Sequence, residues 1–136
     1  MKRQYLILLL LVFITSCDPW HIAIIENNTN SEAYFYYKCD TSELKHYNSK
    51  VEMLTKIFSS PYYKAILIDS NNLTAFYKIK PKDVMWVGQC MGKHPFLPIS
   101  ECMIKTKNHT KTYMTRKDFN DAFNYDKKDT YILKIE

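Results

Sequence analysis

His21-Ile22-Ala23-Ile24-Ile25, Glu26-Asn27-Asn28-Thr29-Asn30-Ser31 and Ala33-Tyr34-Phe35-Tyr36-Tyr37 stand in succession near the start of the chain. Two runs of β-branched and aromatic residues around a polar cluster read as two strands and a turn. An antiparallel pair is the expectation. Lys64-Ala65-Ile66-Leu67-Ile68 and Thr74-Ala75-Phe76-Tyr77-Lys78-Ile79 repeat the arrangement around Asp69-Ser70-Asn71-Asn72. Asp83-Val84-Met85-Trp86-Val87, Cys102-Met103-Ile104-Lys105 and Thr130-Tyr131-Ile132-Leu133-Lys134-Ile135 bring the strands to about seven. Short strands at this spacing predict a mainly β domain, a two-layer antiparallel β-sandwich-like fold with one or two short helices. An α+β arrangement is the alternative.

Two segments depart from the strand rhythm. Thr115 is placed to cap a helix with Asp118 three residues on, and Phe119, Ala122 and Phe123 then share a face. Leu44, Tyr47, Val51, Leu54 and Phe58 also recur at spacings of three and four, ahead of Ser59-Ser60-Pro61. A second helix within 41–58 competes there with a loop and a strand.

Aromatic residues make up 15% of the chain, 11 of them tyrosines, and four aromatics, Tyr34-Phe35-Tyr36-Tyr37, are consecutive. In a strand Tyr34 and Tyr36 face opposite to Phe35 and Tyr37. One pair is expected in the core, and the other is free to form a surface stripe for stacking on a sugar or a protein.

Eleven of the first 16 residues are apolar. Lys2 and Arg3 precede an unbroken apolar run, Leu6 to Ile14, and Ile14-Thr15-Ser16-Cys17 follows. The charged start, short apolar region and small residues are those of an export signal, and the run is too short to span a bilayer. Ile14-Thr15-Ser16-Cys17 resembles the lipobox of bacterial prolipoproteins. That resemblance implies cleavage between Ser16 and Cys17 and lipidation of Cys17, with diacylglycerol on the thiol and usually a further acyl group on the amine. The chain then divides into a signal peptide at 1–16, a lipidated tether at 17–20 and a single domain at 21–136, held at a membrane through its lipid.

The Asp18 that follows resembles an inner-membrane retention signal of enterobacterial lipoproteins, a rule not shared by every phylum. The turn before Ala33, the segment Asp40-Thr41-Ser42, and the lysine-rich helix and apolar strand near the C-terminus resemble small Bacteroidetes lipoproteins. In that group an acidic cluster after the cysteine marks surface export; Asp18-Pro19-Trp20-His21 has a single acid, which favours a periplasm-facing domain. This second resemblance carries no activity with it.

Removal of Lys2 and Arg3 lowers 19 basic residues to 17, against 14 acidic, so the net charge falls from +5 to +3. That balance is too mild to point to nucleic acid. The seven basic residues between Lys105 and Lys128 read as a solvated face, with attraction to anionic headgroups or glycans as the alternative. An envelope protein or a glycan is the expected kind of partner.

With Cys17 lipidated, Cys39, Cys90 and Cys102 remain in an oxidising compartment. A Cys90–Cys102 disulfide is the first candidate, closing a loop worth roughly 3 kcal/mol by chain entropy; pairing of either with Cys39 is the second, and three free thiols the third. Gly88, Gly92, Pro95 and Pro98 give Val87 to Ile99 the look of a turned loop. Cys90, His94 and Met103, with Met91 and a distant His46, faintly resemble the ligand order of blue-copper proteins, but Met103 comes nine residues after His94. A thiol nucleophile, Cys39 with His46 or His94, lacks an orienting acid and oxyanion donors. No phosphate loop, Gly-x-Ser-x-Gly, His-Glu-x-x-His or Cys-x-x-Cys is present. Neither an enzyme nor a cofactor is expected. Asn27-Asn28-Thr29, Asn72-Leu73-Thr74 and Asn108-His109-Thr110 are read as exposed turns.

Overall fold

The computed structural model describes residues 20–46, 48–50, 65–91, 97, 99–126 and 128–136, with Cys90 and Met91 placed by their backbone. Nine strands form among the described residues: β1 (Trp20–Asn27), β2 (Ala33–Cys39), β3 (Leu67–Asp69), β4 (Thr74–Ile79), β5 (Val84–Met91), β6 (Ile99–Lys105), β7 (Thr110–Tyr113), β8 (Asn124–Asp126) and β9 (Thr130–Ile135). They make two sheets, β5-β1-β9-β8 and β3-β4-β2-β6-β7. The mainly β, sandwich-like fold expected from the alternation is the fold found.

Period-two burial is the reason. Along β1, His21, Ala23, Ile25 and Asn27 are buried, and along β2, Ala33, Phe35, Tyr37 and Cys39. Between the sheets lie stacked rings. Tyr37 and Tyr77 are 5.9 Å apart at 3°, and Phe35 and Phe119 are 5.8 Å apart at 20°. Ala23, Ala33 and Ala75, fully buried, leave the volume these rings occupy.

β1 and β2 do not pair with each other, contrary to the expectation. β1 lies antiparallel to β5 and parallel to β9, while β2 sits between β4 and β6 in the other sheet. The polar turn is an inter-sheet crossing, and Asn27 is its fixed point. Its Nδ2 donates to the carbonyls of Ser31 at 2.9 Å, Lys80 at 3.0 Å and Ile79 at 3.3 Å. Its Oδ1 accepts from the Thr29 N–H at 3.1 Å and the Thr29 hydroxyl at 2.8 Å. Asn27 is therefore fully buried, not the exposed turn residue its tripeptide suggested; Asn72 and Asn108 are exposed as read. The second crossing, from β4 to β5, passes the same point. There the Asn27 N–H donates to Asp83 at 2.9 Å and Lys82 takes a positive φ of 58°.

The Thr115 helix is α1 (Arg116–Asp121): Thr115 Oγ1 accepts from the Asp118 N–H at 3.1 Å, and Phe119 is fully buried. Lys117 pairs with Asp121, and Arg116 reaches Asp40 at 3.1 Å. Thr41–His46 is a 3₁₀ turn, with the Ser42 N–H bonded to Asp40 Oδ1 at 2.9 Å. Tyr47 and Val51 to Phe58, the rest of the second helix reading, lie outside the described residues. The loop read over 87–99 begins later than expected, because Val87 to Met91 belong to β5. Gly88 is a strand residue; a Cβ there would stand 2.8 Å from Leu97 Cδ2, so its bare backbone leaves room for the buried Leu97.

Asn27→Ala removes a donor from the carbonyls of Ser31, Ile79 and Lys80 and the acceptor of the Thr29 N–H, and should cost about 2–3 kcal/mol. Asn27→Asp should cost more, since it turns a negative oxygen toward those carbonyls. Urea unfolding at constant m reads both, and a loss below about 0.5 kcal/mol in either would refute the role.

Candidate binding surface on the outer face of one sheet

Tyr34, Tyr36 and Lys38 occupy the outward phase of β2. Register sets their neighbours. Tyr36 lies opposite Phe76 on β4 and Met103 on β6, and Tyr34 lies opposite Lys78 and Lys105. An apolar row, Phe76–Tyr36–Met103, thus runs across three strands beside a second row in which Tyr34 is flanked by two lysines. The Tyr36 and Phe76 rings are 4.9 Å apart and tilted by 53°. Tyr34, Tyr36, Phe76, Met103 and Lys105 line an open groove of about 300 Å³.

Its polar border is ordered. Lys78 pairs with Glu32, whose Oε2 accepts from the Tyr34 hydroxyl at 3.1 Å. The Lys78 hydrogen bond holds the Glu32 carboxyl below its ordinary range. Burial, then the negative charges of Glu101 and Asp69, raises the Tyr36 hydroxyl above its ordinary value, so the Phe76–Tyr36–Met103 row carries no charge at neutral pH. Such a surface admits an apolar or aromatic group and offers cations at one side. Of the four-residue aromatic run, Phe35 and Tyr37 are core and Tyr34 and Tyr36 are the outward pair.

The cysteine pairing is corrected. Cys102 is a free, fully buried thiol on β6, while Cys90 lies on β5 of the other sheet, opposite His21. Cys39 is also free and buried. Although β2 and β6 are neighbours, Cys102 is opposite Tyr37 and Cys39 is opposite Ile99, so the two cysteines sit diagonally. Diagonal residues stand about 7–8 Å apart, beyond disulfide reach. The copper-like order does not assemble either: Met103 faces out of one sheet, Cys90 lies on the other, and His94 is outside the described residues. Cys39 points into the core while His46 is exposed on the 3₁₀ turn, which gives no nucleophile and base pair.

One polar cluster was not singled out in the sequence. His21 is buried between Tyr125 and Tyr131, with centroids at 5.4 and 5.5 Å and both rings edge-on. Its Nδ1 is 3.8 Å from Asp129 Oδ1, which accepts from the Tyr125 hydroxyl at 2.9 Å. The signal was the phase of β1, in which His21 shares the inward face with Ala23 and Ile25. The basic residues of 105–128 spread over several elements, with Arg116 and Lys117 engaged by Asp40 and Asp121.

Burial pushes the Cys39 thiol up to about 12 and the Cys102 thiol higher still, and the phenol of Tyr77 to about 12, with Tyr37 well raised. The unfolded chain therefore releases these protons first. From the ordinary thiol value of 9.0 up to about 12 stability should fall, by about 1.4 kcal/mol per pH unit for each group ionised only in the unfolded state. Urea midpoints across that range should drop, and Cys102→Ala should flatten the slope; an unchanged slope would refute it. At about pH 8 Cys39 and Cys102 should resist alkylation until the domain unfolds. In comparisons with known proteins, no family model matches the chain, and no curated protein and no solved structure matches it.

Proposed function

We propose that this chain is a lipid-anchored lipoprotein of the bacterial cell envelope whose β-sandwich domain binds a protein partner and performs no catalysis. The anchor is the lipid on Cys17, exposed by cleavage after Ser16. The recognition surface is the outer face of the sheet built on β2. The observation that carries this reading is the Phe76–Tyr36–Met103 row, an apolar strip across three strands with Tyr34 and Lys105 beside it.

The same strip favours a protein over a glycan. Sugar recognition needs a flat ring together with acceptors for hydroxyl groups. Here the two central rings are tilted by 53° and a methionine completes the row. Polarizable, adaptable sulfur beside aromatic rings suits an apolar side chain, and Lys105 suits an acidic rim.

A photo-crosslinking residue in place of Met103 should capture one stoichiometric partner in cells. The same residue at Ile22, exposed on the other sheet, should capture none. Tyr36→Ala with Phe76→Ala should abolish the adduct at a cost of about 1 kcal/mol in stability, the scale of a cross-strand aromatic pair. Equal capture from both faces, or none from Met103, would overturn the binding assignment. Intact-mass analysis should find a mature chain that begins at acylated Cys17; retention of Met1 or a bare Cys17 would remove the anchor.

A further inference from the structure

We propose that the end of the sandwich that carries Trp20 rests in the lipid headgroup layer, with Trp20 and Tyr125 as its contact residues. The inference builds on the lipid-anchor reading and adds an orientation to it. Three peptide units separate Cys17 from Trp20, a reach of at most about 11 Å. The headgroup region of one leaflet is about 5–7 Å deep. An acylated Cys17 at the hydrocarbon boundary therefore keeps Trp20 in or just above that layer, whatever path residues 18 and 19 take.

What the structure places at that end fits a lipid interface. Trp20 opens β1 and is 66% exposed, and Tyr125 on β8 is 52% exposed. Pairing of Ile22 with Thr130, and of Tyr125 and Asp126 with Tyr131 and Thr130, brings the start of β1, the end of β8 and the β8–β9 turn to one end. Tryptophan and tyrosine are the residues that partition to this depth, because each joins an apolar ring to a polar tip. In the same turn Lys128 is exposed, a cation for lipid phosphate, while Asp129 is engaged by the Tyr125 hydroxyl and lies beside His21.

The orientation follows. β1 carries the chain outward by about 24 Å to Asn27. The crossing reverses it, so β2 returns with the Tyr34 row, flanked by Lys78 and Lys105, on the half away from the membrane. Trp86 pairs with Ile24, four residues further out than Trp20.

The test uses the mature full-length lipoprotein in vesicles of phosphatidylcholine and phosphatidylglycerol, with and without acyl chains brominated near the carbonyl end. Wild type is compared with Trp20→Phe, an exposed position that leaves Trp86 in place. The wild-type emission assigned to Trp20 by difference should be largely lost in brominated vesicles and protected from aqueous iodide, while Trp86 should be unaffected. Acylated Cys17 by mass, with Trp20 emission open to iodide and untouched by bromine, would overturn the orientation and leave the anchor standing. A chain without lipid on Cys17 would overturn both.

Discussion

A single buried amide governs how this chain divides into two layers. Residues 28–32 reverse the chain, but a reversal alone would let β2 fold back onto β1 as a hairpin. Asn27 prevents that by using both ends of its side chain. Its nitrogen reaches carbonyls at Ser31, Ile79 and Lys80, and its oxygen caps Thr29. A crossing between sheets has to bury backbone groups that a hairpin would pair along its ladder. Asn27 supplies those partners for two crossings at once. The neighbouring Asn28 N–H, bonded to Ile135 at 2.9 Å, ties the end of β9 into the same corner.

The interior interleaves aromatic rings with small residues. Tyr37 on β2 stands opposite Ala75 on β4, and Ala23 and Ala33 are likewise fully buried, so small side chains share the interior with the large rings. Phe119 gathers Phe35, Tyr113 and Phe123 around it at centroid distances of 5.8, 5.4 and 5.1 Å. Six residues of helix suffice to bring it there, capped at Thr115 and tied to the β2 end through Arg116 and Asp40. The buried phenols of Tyr37 and Tyr77 bond to each other, which removes the main penalty of placing tyrosine in a core.

Seven strands were legible because alternation and turn clusters are local signals. Their partners were not, since the Glu26–Ser31 cluster encodes a reversal and nothing about which sheet receives the returning strand. β7 and β8 escaped notice for a related reason: Thr110-Lys111-Thr112-Tyr113 and Asn124-Tyr125-Asp126 carry little apolar pattern and are short strands at sheet edges, held by a neighbour on one side. The candidate surface was half visible. Period two split Tyr34 and Tyr36 from Phe35 and Tyr37, and Lys38 in the first set marks the outward one, but Phe76 and Met103 join it only through register. Cysteine spacing misled because a twelve-residue interval says nothing of sheet membership, and Cys90 and Cys102 fall on opposite layers.

The parallel contact between β1 and β9 has a kinetic meaning. Ile22 to Asn27 pair with Thr130 to Ile135, so the centre of one sheet is completed by segments about as far apart in sequence as the domain allows. Non-local pairing of this kind slows folding, because most of the chain has to be ordered before the contact is rewarded. Until β9 is available, β1 has only β5 to hold it and an open edge on its other side. Such an edge is a template for mispairing until the final strand emerges. Closure of the sandwich therefore waits for the last strand, and the domain is most vulnerable until its final residues are in place.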